Sequence, residues 1–403
     1  MCRTLECRIN PLTSNMYLIK FSFRENAGQK IEWLIDKVTL SKINLIVGKN
    51  SSGKTRTLNA LSDLVSMLRG KGTSATGPVT YELLFRKNNG VMKYELAYDP
   101  ETIQLERLTV EDELLLERGG GGAGKIKYES TPGSIFLDFE IPHDQLACFA
   151  KRDRLQHPFI EAIYEWAIAL RRFNFSGDLG KSRYALKSAF ESKEVDWCIT
   201  NNSLVPVVAV AHDHHPQFHD QVIADMQGIG YDLEDFGIIH FTERFGSTAQ
   251  DRFAVYTKEK GLDKKVTQRD MSQGMFRAFS VLTQLNYYIK VGHSGMVIID
   301  DIGEGLDFSR AKQLVQVLIS KAEESGIQLI MSTNDSFIMN AVDIQNWAVL
   351  LREGNKISLF NYENSKEIFE EFKFTGLNNF DFYASEFFRS GFSEEELSEG
   401  SEE

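Results

Sequence analysis

The sequence has no long apolar run that would place it in a membrane or direct it to export. No stretch of about 18 or more apolar residues occurs among its 403 residues, so no segment is predicted to span a bilayer. The first residues also lack the apolar stretch of a secretory signal. Its 4 cysteines form neither a C-x-x-C pair nor a dense disulfide pattern. These absences predict a cytoplasmic protein that has reduced cysteines and does not associate with a membrane.

The sequence also lacks an excess of basic residues. Its 45 lysines and arginines are outnumbered by 57 aspartates and glutamates, which gives a formal net charge of −12. Residues 393–403 contain six glutamates and no base, and they have too little apolar surface to fold. We therefore expect residues 391–403 to form a disordered acidic tail. The negative balance argues against broad non-specific DNA binding, but a local basic groove would still permit it. Nucleic acid stays among the candidate partners.

Apolar periodicity predicts an α/β protein. The hydrophobic fraction of 42% is ordinary for a globular chain, and at roughly 150 residues per domain the length suggests two to three folding units. Short runs typical of strands occur at residues 17–23, 43–47, 238–241, 296–299 and 327–331. Helical periodicity separates several of them. Strands that alternate with helices imply a mostly parallel, covered sheet.

The intervening segments predict two additions to this sheet. Period-two patterns from residue 79 to about 141, with a turn signal at residues 88–90, predict an antiparallel β-meander. Mostly helical patterns follow and predict an inserted helical lobe. The resulting division is an N-terminal part of the core at 1–141, the helical lobe at 142–235, a C-terminal part of the core at 236–390 and the acidic tail at 391–403.

The phosphate-loop motif Gly48-Lys49-Asn50-Ser51-Ser52-Gly53-Lys54-Thr55 is the strongest chemical signal. It lies between a predicted strand and a predicted helix, which is the context that this motif requires. Its glycines let consecutive backbone N–H groups point at phosphate oxygens, at a helix N-terminus that favours anions. Lys54 adds a positive charge, and Thr55 offers a hydroxyl to Mg²⁺. The residues expected to bind ATP are Gly48, Asn50, Ser51, Ser52, Gly53, Lys54, Thr55 and Arg56.

A second signal is an apolar strand that ends in two carboxylates. Residues 296–299 are apolar, and Asp300 and Asp301 follow them. Ligands of open α/β sheets bind at the C-terminal ends of the strands. We therefore predict that Asp300 holds Mg²⁺ together with Thr55, and that Asp301 orients or deprotonates the attacking water.

A third signal is the tripeptide Ser272-Gln273-Gly274, which precedes apolar residues at helical spacing. Ser272 is predicted to cap this helix, and the small residues leave the backbone free to meet a phosphate. Taken alone, the tripeptide is equally compatible with an ordinary helix cap.

These motifs, in this order and followed by residues 304–307, resemble the ABC-type ATPases of the RecF, SMC and OLD group. The resemblance covers about residues 17–141 and 238–351. It implies an α/β ABC-type P-loop ATPase head that has a mostly parallel core sheet, an antiparallel β-meander and an inserted helical lobe. It also implies a head-to-tail dimer, or a higher even-numbered oligomer. In such a dimer, Ser272, Gln273 and Gly274 would contact the γ-phosphate of ATP held by the other subunit, and residues 304–307 would communicate across the dimer.

Three departures from the family pattern favour slow hydrolysis. The family has glutamate where this chain has Asp301, which is one methylene shorter. It has histidine near the γ-phosphate where this chain has Asn334, which supplies no cation. No glutamine of this sequence stands out as the one that, in the family, reports nucleotide state to the helical lobe. The predicted catalytic residues of this slow switch are Asp301, Lys54 and Asn334.

We expect the output of the switch to lie in a separate effector protein. The residues after Asn334 are too few for the metal-dependent nuclease domain of OLD proteins, and no coiled-coil heptads of an SMC protein occur. The chain is similar to stand-alone ATPases such as the ATPase subunit of Septu systems, which accompany effectors in bacterial defence against phage. A nuclease or toxin is therefore the expected partner. One alternative is a RecF-like repair ATPase that clamps duplex DNA, and another is a nucleotide-binding scaffold with negligible turnover.

Other polar clusters have simpler interpretations. His212, His214, His215 and His219 are close in sequence, and solvated side chains are favoured over a metal site. The Arg171-Arg172 pair is expected on a solvated face at the end of a helix. The glycine run at residues 119–124 is expected to be a mobile loop.

Overall fold

The computed structural model describes residues 16–72, 75–87, 90–128, 135–188, 203–240 and 252–391. The turn predicted at residues 88–89 and nearly all of the predicted acidic tail lie outside these residues. The chain divides into two compact units, each made of separate stretches of sequence. We call them the P-loop unit (residues 14–170, 295–298 and 326–403) and the signature unit (residues 1–13, 171–294 and 299–325).

The P-loop unit is built on a large mixed sheet. Its strands are β1 (Met16–Glu25), β2 (Trp33–Thr39), β3 (Ile43–Val47), β4 (Val79–Lys87), β5 (Gly90–Tyr98), β6 (Ile103–Val110), β7 (Glu113–Gly119), β8 (Ala123–Tyr128), β9 (Ile135–Glu140), β16 (Gln328–Thr333), β17 (Trp347–Glu353) and β18 (Lys356–Asn361). The strand order is β16-β3-β17-β18-β2-β1-β4-β5-β6-β7-β8-β9. Strands β16, β3 and β17 are parallel, and β4 to β9 form the predicted antiparallel meander.

Helices cover this sheet and bury apolar side chains against it. They are α1 (Lys54–Leu68), α2 (Ala147–Ala150), α3 (Pro158–Ala169), α8 (Ser336–Ala341), α9 (Lys366–Lys373) and α10 (Asn379–Ala384). Leu58, Leu61 and Leu64 of α1 are at most 1% exposed, which confirms the helical spacing. Trp166 of α3 is fully buried, with its ring edge against Phe85 at a centroid distance of 4.9 Å. Burial of these side chains holds the first helix after the phosphate loop against the sheet.

The signature unit combines helices with a small antiparallel sheet. Its helices are α4 (Val205–His214), α5 (Pro216–Gly228), α6 (Gln273–Lys290) and α7 (Phe308–Ser325). Its strands are β10 (Arg171–Asn174), β11 (Ala185–Leu186), β12 (Leu233–His240), β13 (Arg252–Glu259) and β14 (Val266–Thr267). The order β11-β13-β12, with β14 beside β13, makes up the small sheet. Strand β15 (Met296–Asp300) begins in the P-loop unit and ends in the signature unit.

Two local expectations are wrong. The glycine run is not a mobile loop: Gly119 ends β7, a short 3-10 turn follows, and β8 begins at Ala123. Gly121 and Gly122 have φ values of 83° and 93°, so glycine permits a tight turn between two paired strands. Helix α3 ends at Ala169, before the arginine pair, which belongs to β10 instead. No helix in the described part of the chain is long and apolar enough to cross a membrane.

Candidate functional site

The phosphate loop has a curled backbone between β3 and α1. Ser51 and Gly53 have φ values of 64° and 96°. A Cβ atom at Gly53 would lie 2.8 Å from the Trp33 ring, and one at Gly48 would lie 2.5 Å from the Ser52 Oγ. Glycine is therefore required at Gly53, for space and for backbone conformation, and a side chain at Gly48 would crowd Ser52 and the Leu350 carbonyl oxygen at 3.0 Å. This conformation precedes the N-terminus of α1, where free N–H groups attract anions.

Lys54 places its ammonium group inside the loop. The residue is 7% exposed, and its Nζ donates hydrogen bonds to the carbonyl oxygens of Gly48 at 2.7 Å and Lys49 at 3.2 Å. A buried cation that is held by the loop's own carbonyls lies beside the N–H groups that would face a phosphate. The residues present therefore fit the phosphates of a nucleotide.

Asn334 joins the phosphate loop from the far end of the chain. It follows β16, and its Nδ2 donates to the Oδ1 of Asn50 at 3.0 Å. The next residue, Asp335, caps α8 by accepting hydrogen bonds from the N–H groups of Phe337 and Ile338. The structure thus brings together two predicted site residues that are far apart in sequence, and their contact involves uncharged amide groups.

Two arginines flank Trp33 beside the loop. The guanidinium carbons of Arg56 and Arg352 lie 4.0 and 4.8 Å from the ring centroid. Arg56 also pairs with Glu25 at 2.8 Å, and Arg352 donates to the Ser51 carbonyl at 3.2 Å. Such contacts stabilise both cations over the aromatic ring and add positive charge next to the loop. Sequence reasoning missed Trp33 and Arg352, since neither belongs to a phosphate-loop motif.

The C-terminal segment also contacts the phosphate loop. Glu386 has a φ of 57°, and its Oε1 lies 2.8 Å from the Nζ of Lys49. Hydrogen bonds from Lys49 and Arg389 lower the pKa of the Glu386 carboxyl. The loop and this segment line a common cavity of about 420 Å³, whose lining includes Ser52, Leu350, Arg352, Tyr383 and Phe388.

In the signature unit, Asp300 is buried and paired with a cation. Asp300 is 1% exposed, and Arg172 of β10 donates a hydrogen bond from Nη2 to the Asp300 Oδ2 at 3.0 Å. The Asp300 carbonyl accepts a hydrogen bond from the Phe175 N–H at 2.8 Å. Arg171 and Arg172 therefore do not lie on a solvated helix face. They belong to β10, which is next to β15 in the strand order. Asp301 follows in a turn and has a φ of 56°.

The predicted cap of the signature helix is confirmed. Ser272 accepts a hydrogen bond from the Met275 N–H at 3.2 Å, at the N-terminus of α6. Ser272 and the next residue, Gln273, are exposed, whereas Gly274 is buried. A Cβ atom at Gly274 would lie 2.3 Å from the Gly305 carbonyl oxygen, so this position requires glycine.

Arg277 ties the signature helix to two loops. Its Nη1 donates to the Glu304 carbonyl at 2.8 Å, and its Nη2 donates to the Ser176 carbonyl at 2.6 Å. The residue is only 6% exposed, so these hydrogen bonds compensate the burial of its charge. Sequence reasoning missed Arg277, although its place four residues after the helix start could have suggested a role in holding residues 304–307.

Comparison with known proteins identifies the fold. A family model described as "AAA domain, putative AbiEii toxin, Type IV TA system" matches residues 163–340, a span that contains the signature motif, Asp300, Asp301 and Asn334. The crystal structure of an SMC head bound to the C-winged helix domain of ScpA is 12% identical, covers 87% of this chain and 99% of that chain, and has a TM-score of 0.51. The fold is that of an SMC-like, ABC-type P-loop ATPase head.

Two further solved SMC heads are similar at lower scores. The SMC head from Pyrococcus furiosus with an extended coiled coil, bound to the C-terminal domain of ScpA, has a TM-score of 0.49 at 11% identity and covers 89% of this chain and 100% of that chain. The Thermotoga maritima SMC head has a TM-score of 0.43 at 11% identity, covering 85% and 98%. The fold assignment rests on the first match. No curated protein sequence matches the chain.

Within this fold, the predicted site residues fall into two sets. The P-loop unit contains the phosphate loop, Arg56 and Asn334. The signature unit contains Asp300, Asp301, Ser272, Gln273 and Gly274.

The histidines of the signature unit belong to neither set. His219 stacks on Phe236 and lies 3.0 Å from the Asp235 carboxylate. In the described residues, no group of three or more His, Cys, Asp or Glu side chains is arranged to hold a metal ion.

Proposed function

We propose that this ATPase head binds ATP with Mg²⁺ and hydrolyses it slowly, as the nucleotide switch of a head-to-tail dimer. The curled phosphate loop, with the Lys54 ammonium inside it, is the observation that carries the proposal. A loop of this kind holds phosphates through backbone N–H groups and one lysine. Thr55 and Asp300 would hold Mg²⁺, whose role is to neutralise charge on the phosphates.

Slow turnover follows from the side chains proposed for catalysis. Asp301 has a shorter side chain than glutamate, so its carboxylate reaches less far toward an attacking water. Asn334 contacts Asn50 through uncharged amides, so it offers hydrogen bonds but no positive charge to a phosphate. Both features lower the stabilisation of the transition state relative to a site that has glutamate and a cation.

A second subunit would complete the site. Ser272 and Gln273 are exposed at the start of α6, where they are free to meet a nucleotide from outside the subunit. Arg277 fixes this helix start against residues 304–307, so that a contact at one is transmitted to the other. Dimer closure would therefore depend on bound ATP, and hydrolysis would release it.

We propose a separate nuclease or toxin in anti-phage defence, as in Septu-type systems, as the output of the switch. The matching family model is described as a putative toxin of a type IV TA system, which supports this class of role. Two of the similar heads are bound to a domain of another protein, which supports control through a partner.

ATP binding by the purified protein tests the proposal. Lys54→Ala removes one charge-assisted contact, and we expect it to weaken ATP binding about 10- to 100-fold and to abolish ATP-dependent dimerisation. Lys71→Ala, which changes an exposed lysine after α1, is the matched control. Equal ATP affinities for the two variants would refute the assignment. Micromolar DNA binding with a steep salt dependence would instead favour the RecF-like alternative.

A further inference from the structure

The last strand of the β-meander has an edge without a partner strand in the described residues. β9 is the terminal strand in the strand order. It pairs with β8 over six residues, from Tyr128 opposite Ile135 to Ala123 opposite Glu140. In an antiparallel strand, about half of the N–H and C=O groups point away from the paired neighbour. The outer edge of β9 therefore offers hydrogen bonds to another strand.

Apart from two acidic side chains, this edge lacks the features by which proteins prevent unwanted strand pairing. Edge strands are usually protected by lysine, proline, a bulge or a covering element. β9 contains no lysine, arginine, proline or glycine, and its pairing with β8 has no register shift. Five of its six residues are exposed. It is thus a regular and accessible template for an added strand.

The apolar side chains of β9 continue a face of the sheet that is buried at β8 but exposed at β9. Leu137 lies opposite Ile126 of β8, so the two side chains share one face of the sheet. Ile126 is 2% exposed, but Leu137 is 42% and Ile135 is 49% exposed. On the opposite face, Phe136 is also 42% exposed. An added strand would cover apolar surface on both sides of the sheet.

The charges of β9 indicate which strand would fit. Asp138 and Glu140 are both exposed and share the face of Phe136. The exposed Lys125 of β8 lies opposite Asp138 on the inner side, whereas β9 itself carries no base. A second copy of β9 would bring only further acids to this edge. A strand that has basic residues at every second position would instead place them against the two carboxylates, and its apolar residues would cover Ile135 and Leu137.

We propose that β9 is a docking edge for an extended segment of a partner protein in which apolar and basic residues alternate. The segment adds to the meander as a further antiparallel or parallel strand, so that main-chain hydrogen bonds supply affinity and the alternating side chains supply specificity. This docking edge uses no residue of the phosphate loop and does not depend on nucleotide binding.

Peptide binding to the full-length protein tests the docking edge. A fluorescent peptide of about eight residues that alternates valine and lysine is titrated with the protein, and a valine–glutamate peptide is the control. We expect only the lysine peptide to bind and to slow amide hydrogen exchange within β9. The variant Asp138→Lys/Glu140→Lys should bind the lysine peptide at least about tenfold more weakly, which corresponds to about 1.4 kcal/mol of binding free energy. It should bind the glutamate peptide instead.

Salt dependence provides a second measurement that needs no variant. Binding of the lysine peptide to the unmodified protein should weaken between about 50 and 300 mM salt, because the carboxylates of β9 are exposed. Equal binding of both peptides, or no binding of either, would overturn the proposal. Slow exchange of the outward-pointing β9 amides in the free protein would also overturn it, and so would self-association that is lost in the charge-reversed variant. Either result means that this chain already covers the edge.

Discussion

The buried ion pair between Arg172 and Asp300 permits a quantitative test of how the carboxylate at the end of β15 is held. The two side chains are 18% and 1% exposed, and their charged atoms lie 3.0 Å apart. At an effective dielectric constant of about 20, the Coulomb attraction at this distance is about 5.5 kcal/mol. Desolvation of the two charges offsets much of that attraction. We therefore expect a net coupling of about 2 kcal/mol between them.

A double-mutant cycle measures this coupling through urea unfolding of Arg172→Met, Asp300→Asn and the double variant. Arg172→Met alone should lower the free energy of unfolding by about 3 kcal/mol, because it removes the cation that compensates a buried carboxylate. In the double variant both charges are gone. Its loss should therefore be smaller than the sum of the single losses by about 2 kcal/mol.

A control variant and one outcome of the cycle decide whether Arg172 and Asp300 interact. Arg269→Met, at an exposed position of the signature unit, is the control and should change stability by no more than about 0.5 kcal/mol. If the two single losses add to within about 0.5 kcal/mol of the double variant's loss, Arg172 and Asp300 do not interact in the folded protein. Arg172 would then not be the residue that positions the Asp300 carboxylate.

Three further predictions follow from other described contacts. Gly274→Ala places a Cβ atom 2.3 Å from the Gly305 carbonyl oxygen. Thermal unfolding should therefore show that the free energy of unfolding falls by about 1–3 kcal/mol, and ATP turnover should be slower. An unchanged stability and an unchanged turnover would contradict this close approach. Burial, and secondarily Arg171, lowers the pKa of His293 from 6.5 to about 4. The folded state thus holds this histidine neutral, and stability that is present above pH 6.5 should be lost as the pH falls toward 4, by up to about 3 kcal/mol. Urea titrations should show this loss in the wild type and much less of it in His293→Gln. Asp301→Glu should raise phosphate release up to about tenfold and Asp301→Ala should lower it, whereas equal rates for Asp301→Ala and the wild type would exclude a catalytic role.

Local patterns predicted the elements that carry the candidate site. The phosphate loop lies between a strand and a helix as its motif requires, because its glycines and the flanking apolar residues act within a few positions of each other. Ser272 caps α6 for the same reason, since a cap involves only the next three residues. The meander was also predictable, because its period-two pattern records burial on one face of a sheet.

The missed features all depend on contacts between distant segments. Arg172 looked like the end of an exposed helix, yet it pairs with a carboxylate at the end of β15, far along the chain. Arg352 of β17 lies over Trp33 of β2 because β18 pairs with both of these strands, which no local pattern shows. The glycine run was misjudged because composition alone does not distinguish a linker from a tight turn whose flanking strands are paired.

The contact between Lys49 and Glu386 has a practical consequence for handling the protein. Glu386 is close to the end of the described chain, yet its carboxylate is paired with the second residue of the phosphate-loop motif. A protease cut, a truncation or a bulky purification tag placed near this position would therefore disturb the loop directly. Nucleotide affinities measured on shortened or C-terminally fused versions should be compared with those of the intact chain before any difference is attributed to the motif itself.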